Sequence, residues 1–342
     1  MTISILRRAL LPAALVAALT LAACGSGDPL AGTDADGAGE ASAPAADPSD
    51  PDPAASTGTD TAGGSGTIVV GGATFTEMQV MEQMYGALLT DAGYEVEIVA
   101  SDSREIYGQA LIDGDIDVVP EYAATMAEFL NREVNGPDAE LVATADAEST
   151  VNAMQVLAQE LGLVVGAPAG AASQNGYAIL ASVAADNDIT TLSDFAAFQP
   201  EVVLAATEEC PTRPFCQLGL EGTYGFTVTE LLPLGYGSPQ AKQAVVAGEA
   251  DMVLVGTTDA TLGADGLMLL EDDQALQLAD NLVPVLNAAS AQDPTLLDTL
   301  DTLADVLTTE DLAELNRRVD ADRELPADVA ASYLVEKGLI DG

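Results

Sequence analysis

Two stretches of the sequence repeat one pattern: QALIDGDIDVVPEY at residues 109–122 and QAVVAGEADMVLVGTTDA at residues 243–260. Each begins with Gln-Ala-aliphatic, continues with a glycine and then an acid, an apolar residue and Asp, and ends in an aliphatic run. The pattern predicts a helix that ends near a glycine, Gly114 or Gly248, and a turn into a buried strand. Such a connection also recurs by chance in α/β proteins. Taken as a repeat, it predicts two equivalent α/β units in one chain.

Strand and helix patterns alternate around the first copy. The run TIVVGG is typical of a buried strand, and the segment after it has apolar residues at helical spacing as far as Gly93. A strand (YEVEIVA), a helix (SREIYGQALIDG) and another strand (DIDVVP) follow. This order predicts a mostly parallel sheet covered by helices. Ligands bind such sheets at the carboxyl ends of the strands, which makes PEYAAT and GTTDAT candidate site segments.

Composition excludes several classes of function. The 342 residues include 48% hydrophobic side chains, enough for two domains or one large two-lobed body. The net charge of −45 repels phosphate backbones and argues against nucleic-acid binding, and its simplest role is solubility. The chain has no histidine, which removes Ser-His-Asp and Cys-His catalysis and the commonest metal ligand. We predict no metal and no cofactor.

The first residues have the features of an export signal. A basic start is followed by an apolar run, residues 9–21, that is too short for a stable membrane span, and then by LAAC. This order resembles the lipobox of bacterial lipoproteins, which implies a signal peptide at residues 1–23 and lipidation of Cys24. The alternative is an ordinary signal peptide with a chance cysteine.

The next segment, residues 24–66, consists mainly of Gly, Ser, Ala, Pro, Asp and Thr. With almost no large apolar side chain, it cannot bury enough surface to offset the entropy of ordering. It predicts a disordered acidic linker between a lipid and a folded body.

From Thr67 to Ile340 the sequence resembles a known family. The glycine betaine, choline and carnitine type of periplasmic substrate-binding protein of ABC transporters contains similar segments in the same order: IVVGGATFTEMQVMEQMYGALL, QALIDGDIDVVPEYAAT, NGYAIL, ITTLSDF, GTYGF, QAVVAGEADMVLVGTTDA and LTTEDLAELNRRVDADRELPADVAASYLVEKGLI. Single segments are weak signals, and the ordered set together with a lipobox is more specific.

The resemblance implies an α/β fold of the two-lobed periplasmic-binding-protein type II, a clamshell in which each lobe is a mostly parallel sheet flanked by helices. Lobe 1 is expected at residues 67–170, lobe 2 at residues 171–270, and residues 271–342 return to lobe 1 with the C-terminal helices. The segments LVVGAPAGAAS and GLMLLEDD are candidate crossings between lobes. Such a protein binds a small solute in the cleft and, as a monomer, delivers it to an ABC permease.

The family holds quaternary ammonium ligands among aromatic rings, because a methylated cation cannot donate hydrogen bonds and is attracted by ring faces. Tyr122 matches the Pro-Glu-Tyr element of the family and is the first candidate, although any such ring can simply belong to the core. The full set of candidate ligand-binding residues is Phe75, Thr76, Asp102, Arg104, Tyr107, Glu121, Tyr122, Thr125, Tyr224, Thr257, Thr258 and Asp259.

Three departures from the family put glycine betaine in doubt. Ala73, Ser182 and Gly256 stand where many members have Lys, Arg and Tyr. Loss of cations that bind a carboxylate favours a ligand without its own carboxylate, such as choline or a related amine. If Arg104 points into the cleft, an anionic end on the ligand remains acceptable. The sequence leaves both alternatives open.

The two cysteines that remain after lipidation, Cys210 and Cys216, lie in the loop CPTRPFC. In an exported chain this proximity predicts a disulfide. A zinc site lacks ligands, and the spacing is not that of a redox motif.

Other functional classes remain as alternatives. The solute could be a different small polar molecule such as an amino acid. An exported enzyme would need a catalytic constellation, and the sequence offers only paired carboxylates such as Glu121 and Asp259. We therefore predict a protein that is not an enzyme, anchored by lipid to the outer face of the cell membrane.

Overall fold

The computed structural model describes residues 66–342. The predicted signal peptide, Cys24 and almost all of the predicted linker lie outside these residues. Each helix within them is too short or too polar to span a bilayer.

Strands and helices alternate along much of the described chain. The strands are β1 Thr67–Ala73, β2 Glu95–Ser101, β3 Val118–Tyr122, β4 Leu163–Val165, β5 Asn175–Leu180, β6 Glu201–Ala206, β7 Thr227–Pro233, β8 Met252–Gly256, β9 Leu267–Leu270 and β10 Leu282–Asn287. The helices are α1 Thr76–Asp91, α2 Arg104–Asp113, α3 Ala123–Asn135, α4 Ala147–Glu160, α5 Ala181–Asp186, α6 Leu192–Phe198, α7 Gln217–Gly219, α8 Pro239–Val246, α9 Pro294–Ala304, α10 Thr309–Asp320 and α11 Pro326–Lys337.

The strands form two five-stranded sheets with the same layout. The first has the order β2-β1-β3-β10-β4 and the second the order β7-β6-β8-β5-β9. In each sheet one strand, β10 or β5, runs antiparallel to both of its neighbours, while the other four share one direction. The sheets are therefore mixed, and the predicted α/β class is confirmed. We call the first sheet with its helices lobe 1 and the second lobe 2.

The repeated sequence occupies equivalent places in the two sheets. Strands β3 and β8 are both central, and each follows a helix that ends near a glycine in the left-handed region, Gly114 at φ 82° and Gly248 at φ 74°. The predicted helix, glycine turn and buried strand are thus confirmed in both copies.

The conserved spacing within the repeat has a hydrogen-bonding reason. The Asp117 carboxylate accepts from the Val69 N–H at 2.7 Å, and Asp251 accepts from the Val203 N–H at 2.7 Å. Each aspartate also donates its own N–H to the same partner residue, at 2.9 Å in both copies. One Asp therefore ties the start of β3 to β1, and its counterpart ties β8 to β6.

Each sheet is covered by buried apolar side chains. In lobe 1 the core includes Met78, Met81 and Met84 on one face of α1, together with Val118 of β3. The C-terminal helices also pack on this lobe, since Tyr333 of α11 belongs to the same core. The return of the C-terminal segment to lobe 1 is what places α10 beside the cleft.

Two crossing segments join the lobes and run side by side. The Leu282 N–H donates to the Ala171 carbonyl at 3.0 Å, and the Ser173 N–H donates to the Asp280 carbonyl at 3.2 Å. The predicted crossing GLMLLEDD begins too early, because Leu267–Leu270 is the edge strand β9 of lobe 2. These four apolar residues pair with β5 and so remain in the sheet of lobe 2.

The two cysteines of lobe 2 form a disulfide, Cys210–Cys216. Both are buried in the lobe 2 core, and the intervening loop leads from β6 toward α7. The predicted disulfide is confirmed.

Candidate functional site

A cleft of about 1250 Å³ lies where the two sheets face each other. Its lining includes the last residues of four strands, Ala73 of β1, Tyr122 of β3, Pro233 of β7 and Gly256 of β8. The carboxyl ends of strands from both lobes therefore meet at one site, as expected for ligand binding by open α/β sheets.

Most of the predicted ligand-binding residues are brought together here. The structure places nine of them in the cleft lining: Phe75, Thr76, Asp102, Arg104, Tyr107, Tyr122, Thr125, Thr258 and Asp259. Contact of these residues with a ligand remains a prediction.

Three other predicted residues do not line the cleft. Glu121 is fully buried behind Arg104. Tyr224 packs against Phe226 in the lobe 2 core and donates its hydroxyl to Asp272. Thr257 is exposed, and its hydroxyl accepts from the backbone of the crossing segment. Tyr224 therefore serves the fold. Successive side chains of an extended chain point to opposite sides, so the side chain of Thr257, directly after β8, points away from the cleft.

Three aromatic rings lie close together in the cleft lining. The ring centroids of Phe75 and Tyr236 are 4.8 Å apart, and those of Phe75 and Tyr122 are 6.3 Å apart. Burial and the nearby Glu77 carboxylate raise the pKa of Tyr122 well above its usual value. Burial and the same carboxylate raise the pKa of Tyr236. Both phenols are therefore neutral at physiological pH, and their ring faces are available to a cation.

Glu77 lies at the junction of the lobes. Its carboxylate accepts from the Tyr122 hydroxyl at 2.7 Å in lobe 1 and from the Thr258 hydroxyl at 2.5 Å in lobe 2. It also accepts from Asn316 Nδ2 of α10 at 2.7 Å. All three donors are neutral groups, so the negative charge of Glu77 is hydrogen-bonded without being neutralised.

Arg104 does not offer a free cation to the cleft. It forms a bidentate pair with Glu121 at 2.9 Å for both bonds, and Glu121 accepts a further bond from the Tyr107 hydroxyl at 2.8 Å. Arg104 also donates to the Thr125 hydroxyl at 3.0 Å. Burial lowers the pKa of Arg104, but the charge of Glu121 more than offsets this and keeps the guanidinium charged. The predicted residues around Arg104 therefore form hydrogen bonds with one another: Tyr107, Glu121 and Thr125.

Asp280 is a second buried carboxylate in the cleft lining. It accepts from the Thr125 N–H at 3.0 Å. Burial raises the pKa of Asp280 to about 7, although that hydrogen bond and the charge of Arg104 act in the opposite direction. Among residues 66–342, neither Asp280 nor Glu77 forms an ion pair with a Lys or Arg.

Asp259 has a different environment from the one its sequence position suggests. It lines the same cleft as Tyr122, but its carboxylate pairs with the buried Lys242 at 3.0 Å and accepts from Thr261. Lys242 also lies 3.4 Å from Asp265. The charge of Asp259 is therefore already neutralised within lobe 2, which weakens the case for it as the carboxylate that receives a cation.

The mouth of the cleft is bridged by ion pairs. Arg213, in the disulfide loop of lobe 2, makes two hydrogen bonds to Glu105 of lobe 1, at 3.2 and 2.7 Å. Arg132 approaches the same carboxylate at 3.6 Å. Burial tends to raise the pKa of Glu105, but the hydrogen bonds and charge of Arg213 hold it at about 2. The disulfide loop thus carries a contact between the lobes.

Sequence reasoning missed several residues of the cleft. They are Glu77, Ser173, Tyr236, Lys242, Asp280 and Asn316. Tyr236 was detectable as an aromatic residue between two glycines in a chain with only 4% aromatic residues. Asn316 gave no signal, because the sequence does not tell which side of α10 meets the cleft, and its partner Glu77 lies 239 residues earlier in the chain. Within the described residues no group of three or more acids or cysteines is placed to hold a metal ion.

The chain is similar in sequence and in fold to solute-binding proteins of known name. A glycine-betaine-binding protein of Pseudomonas aeruginosa is 26% identical over 290 residues, covering 80% of this chain and 89% of that protein. Among solved structures, apo YehZ from Escherichia coli has 24% identity and a TM-score of 0.55, covering 80% of this chain and 99% of that one. A glycine betaine/carnitine/choline ABC transporter structure has 21% identity and a TM-score of 0.59, with 80% and 100% coverage.

These structures share the clamshell fold with this chain. The family model for the substrate binding domain of an ABC-type glycine betaine transport system matches residues 66–336, which span both sheets and the C-terminal helices. A two-lobed body with its site between the lobes is what such a domain needs to capture a solute. The chain therefore belongs to the family of substrate-binding domains of ABC-type glycine betaine transport systems.

Proposed function

We propose that this protein captures a small quaternary ammonium or related amine osmolyte in the interlobe cleft and delivers it to the permease of an ABC importer. The positive group lies against the rings of Phe75, Tyr122 and Tyr236. Each ring contributes about 0.5 to 2 kcal/mol to the attraction of a desolvated cation.

The observation that supports a cation most strongly is the pair of buried carboxylates. Glu77 and Asp280 are 5% and 4% exposed, and their hydrogen-bond donors are all neutral. A buried carboxylate without an ion-pair partner is unfavourable in its ionised form, so a cation that enters the cleft stabilises that form.

Within the described residues, the charged groups of the cleft, paired cations and unpaired carboxylates, favour a ligand without a carboxylate. Arg104 is engaged by Glu121, and Lys242 is engaged by Asp259, so neither is free to receive an anionic group. A zwitterion would bring its carboxylate toward two buried acids. Choline and related amines therefore suit the cleft better than glycine betaine does, although the family description and the Pseudomonas relative name the latter.

We also propose that a lipid on Cys24 holds the protein at the extracytoplasmic face of the cell membrane. The support is the order of basic start, apolar run and LAAC in the sequence. Changing Cys24 to Ser should release the folded protein into the aqueous phase after detergent partition, because the long polar segment separates the anchor from the fold. Retention of the variant with the membrane would contradict the lipid anchor.

Calorimetry with a matched pair of ligands tests the proposed function. Choline and its neutral carbon isostere 3,3-dimethylbutan-1-ol have the same shape and differ in charge. Choline should bind at least about tenfold more tightly, since only the cation interacts with the buried carboxylates and ring faces. Choline should also raise the melting temperature without being consumed. Equal affinity for the two ligands, or no binding of any quaternary ammonium compound, would refute the proposal.

A further inference from the structure

Three hydroxyl groups of the cleft lining come together at the end of strand β8. Gly256 has no side chain, and a Cβ built there would lie 3.3 Å from the Tyr236 hydroxyl, 3.5 Å from Ser173 Oγ and 3.5 Å from Thr258 Oγ1. All four residues line the cleft. The hydroxyls come from lobe 2 and from the crossing segment, and they converge over one glycine. We call the part of the cleft beside these three hydroxyls the hydroxyl pocket.

Glu77 fixes the direction of the hydrogen bonds around the pocket. An ionised carboxylate only accepts, so the Thr258 hydroxyl must donate its hydrogen to Glu77. The 2.9 Å contact between Ser173 and Thr258 then requires Ser173 as the donor. Thr258 also accepts from Asn316 Nδ2 at 3.2 Å. The Thr258 hydroxyl donates one hydrogen bond and accepts two, so it can form no further hydrogen bond.

The hydroxyls of Ser173 and Tyr236 can each form a further hydrogen bond, one as acceptor and the other as donor. Ser173 has given its hydrogen to Thr258 and keeps free lone pairs. The Tyr236 hydroxyl forms no hydrogen bond with any residue from 66 to 342, so its hydrogen is available. The hydroxyl pocket therefore presents one donor and one acceptor.

We propose that the hydroxyl pocket over Gly256 receives a hydroxyl group of the ligand, which accepts from Tyr236 and donates to Ser173. This inference rests on the proposed function and narrows its ligand to a hydroxyl-bearing quaternary ammonium compound. The Tyr236 ring is also part of the aromatic cluster, with its centroid 4.8 Å from that of Phe75, so the cation site and the pocket adjoin.

A carboxylate does not match the pocket. It only accepts hydrogen bonds, so it would pair with Tyr236 but would leave its second oxygen against the lone pairs of Ser173. Its charge would also lie close to Glu77, which is one hydroxyl away through Thr258. An unpaired buried acceptor or a like charge lowers affinity.

A second pair of ligands tests the hydroxyl pocket. Choline and n-propyltrimethylammonium carry the same cation and differ by a hydroxyl in place of a methyl. Calorimetry on the unmodified protein should show choline binding about tenfold more tightly. In the Tyr236→Phe variant, which keeps the ring, choline should lose about tenfold in affinity while the propyl compound changes by less than about twofold.

A glycine pair provides the matched control. Gly256→Ala puts a methyl group in the pocket and should reduce the preference for choline in the same way. Gly263→Ala changes an exposed glycine that has no neighbour within 4 Å of the added Cβ, and it should leave both affinities unchanged.

The results separate this inference from the proposed function. Equal affinity of the unmodified protein for choline and the propyl compound would overturn the hydroxyl pocket alone. So would equal weakening of both ligands by Tyr236→Phe, which would mean that Tyr236 acts only through packing. If neither cation binds, the proposed function fails and the pocket fails with it.

Discussion

Asp280 is the residue whose chemistry most directly couples ligand binding to pH. It lies in the crossing segment and accepts from the Thr125 backbone, and the charges of Arg104 and Glu121 act on its pKa in opposite directions. Burial raises the pKa of Asp280 to about 7, so the carboxyl group is largely protonated below that pH. A cation that binds beside it favours the ionised form and must displace the proton.

We predict that choline binds more tightly as the pH rises. Between about pH 6 and pH 8 the affinity should increase by about tenfold, because a pKa near 7 leaves about one tenth of Asp280 ionised at the lower pH. Calorimetry at several pH values measures this. The Asp280→Asn variant is the control and should bind more weakly with little dependence on pH. A flat profile in the unmodified protein would contradict a role for Asp280.

The ligand-free protein should show the opposite dependence. The pKa of Asp280 in the folded protein is above its ordinary value of 3.8, so folding stabilises the protonated form. The resulting contribution to stability is complete below the ordinary value and is lost as the pH rises through about 7. Binding and stability thus depend on this group with opposite signs.

At the level of single residues the sequence predicted part of the cleft lining. Tyr122 was identifiable because it matches the Pro-Glu-Tyr element of the resembled family, and it is the last residue of the central strand β3. Tyr236 has no counterpart in the repeat and lies in an irregular loop after β7, so no periodic pattern marks it. Asp259 was placed in the cleft, but its partner Lys242 lies one helix earlier and was not recognised as buried. Pairing of charges depends on tertiary packing, which single-chain patterns do not contain.

The second acid of each sequence repeat, Asp117 or Asp251, has a structural role. Asp117 and Asp251 each accept from a neighbouring strand, whereas the preceding acids of the two copies, Asp115 and Glu249, are exposed. The repeat therefore preserves a glycine for the helix end and an aspartate for the strand junction. The glycine at the helix end is a local requirement that the sequence could predict, whereas the bond from the aspartate to a strand 48 residues earlier could not be derived from the pattern.

We predict that the two acids of each copy differ in their effect on stability. Asp117→Ala and Asp251→Ala should each destabilise the protein by about 1 to 3 kcal/mol, since the Val69 or Val203 N–H loses its acceptor. Asp115→Ala should change stability by less than about 0.5 kcal/mol, as should Glu249→Ala. Urea unfolding measures all four. Equal effects within a copy would show that the aspartate is not what the repeat preserves.

Across the whole molecule, the few basic residues concentrate at the cleft. Five of them line it: Arg104, Arg132, Arg213, Lys242 and Arg323. Four of these five form ion pairs with acids of the protein, and the pair between Arg213 and Glu105 joins the two lobes. The composition gave the net charge of −45 but not this distribution. One of these pairs joins the lobes, and Arg104 and Lys242 neutralise Glu121 and Asp259, whereas Glu77 and Asp280 have no ion-pair partner among the residues that the structure describes.

The two-lobed arrangement was predictable because the repeated unit indicates two equivalent α/β units and the family resemblance implies a two-lobed fold. The candidate crossing segment GLMLLEDD includes the edge strand β9, since a short apolar run is typical of both an edge strand and a crossing segment. The cleft between the lobes follows from the topology, whereas its charge balance depends on contacts between residues far apart in the chain.

A crystal structure of the protein with choline tests the central claim most directly. We predict that the trimethylammonium group lies in the interlobe cleft, within about 6 Å of the ring centroids of Phe75, Tyr122 and Tyr236. Its positive charge should face Glu77 and Asp280. Choline bound outside this cleft, or inside it but away from the three rings, would contradict the account.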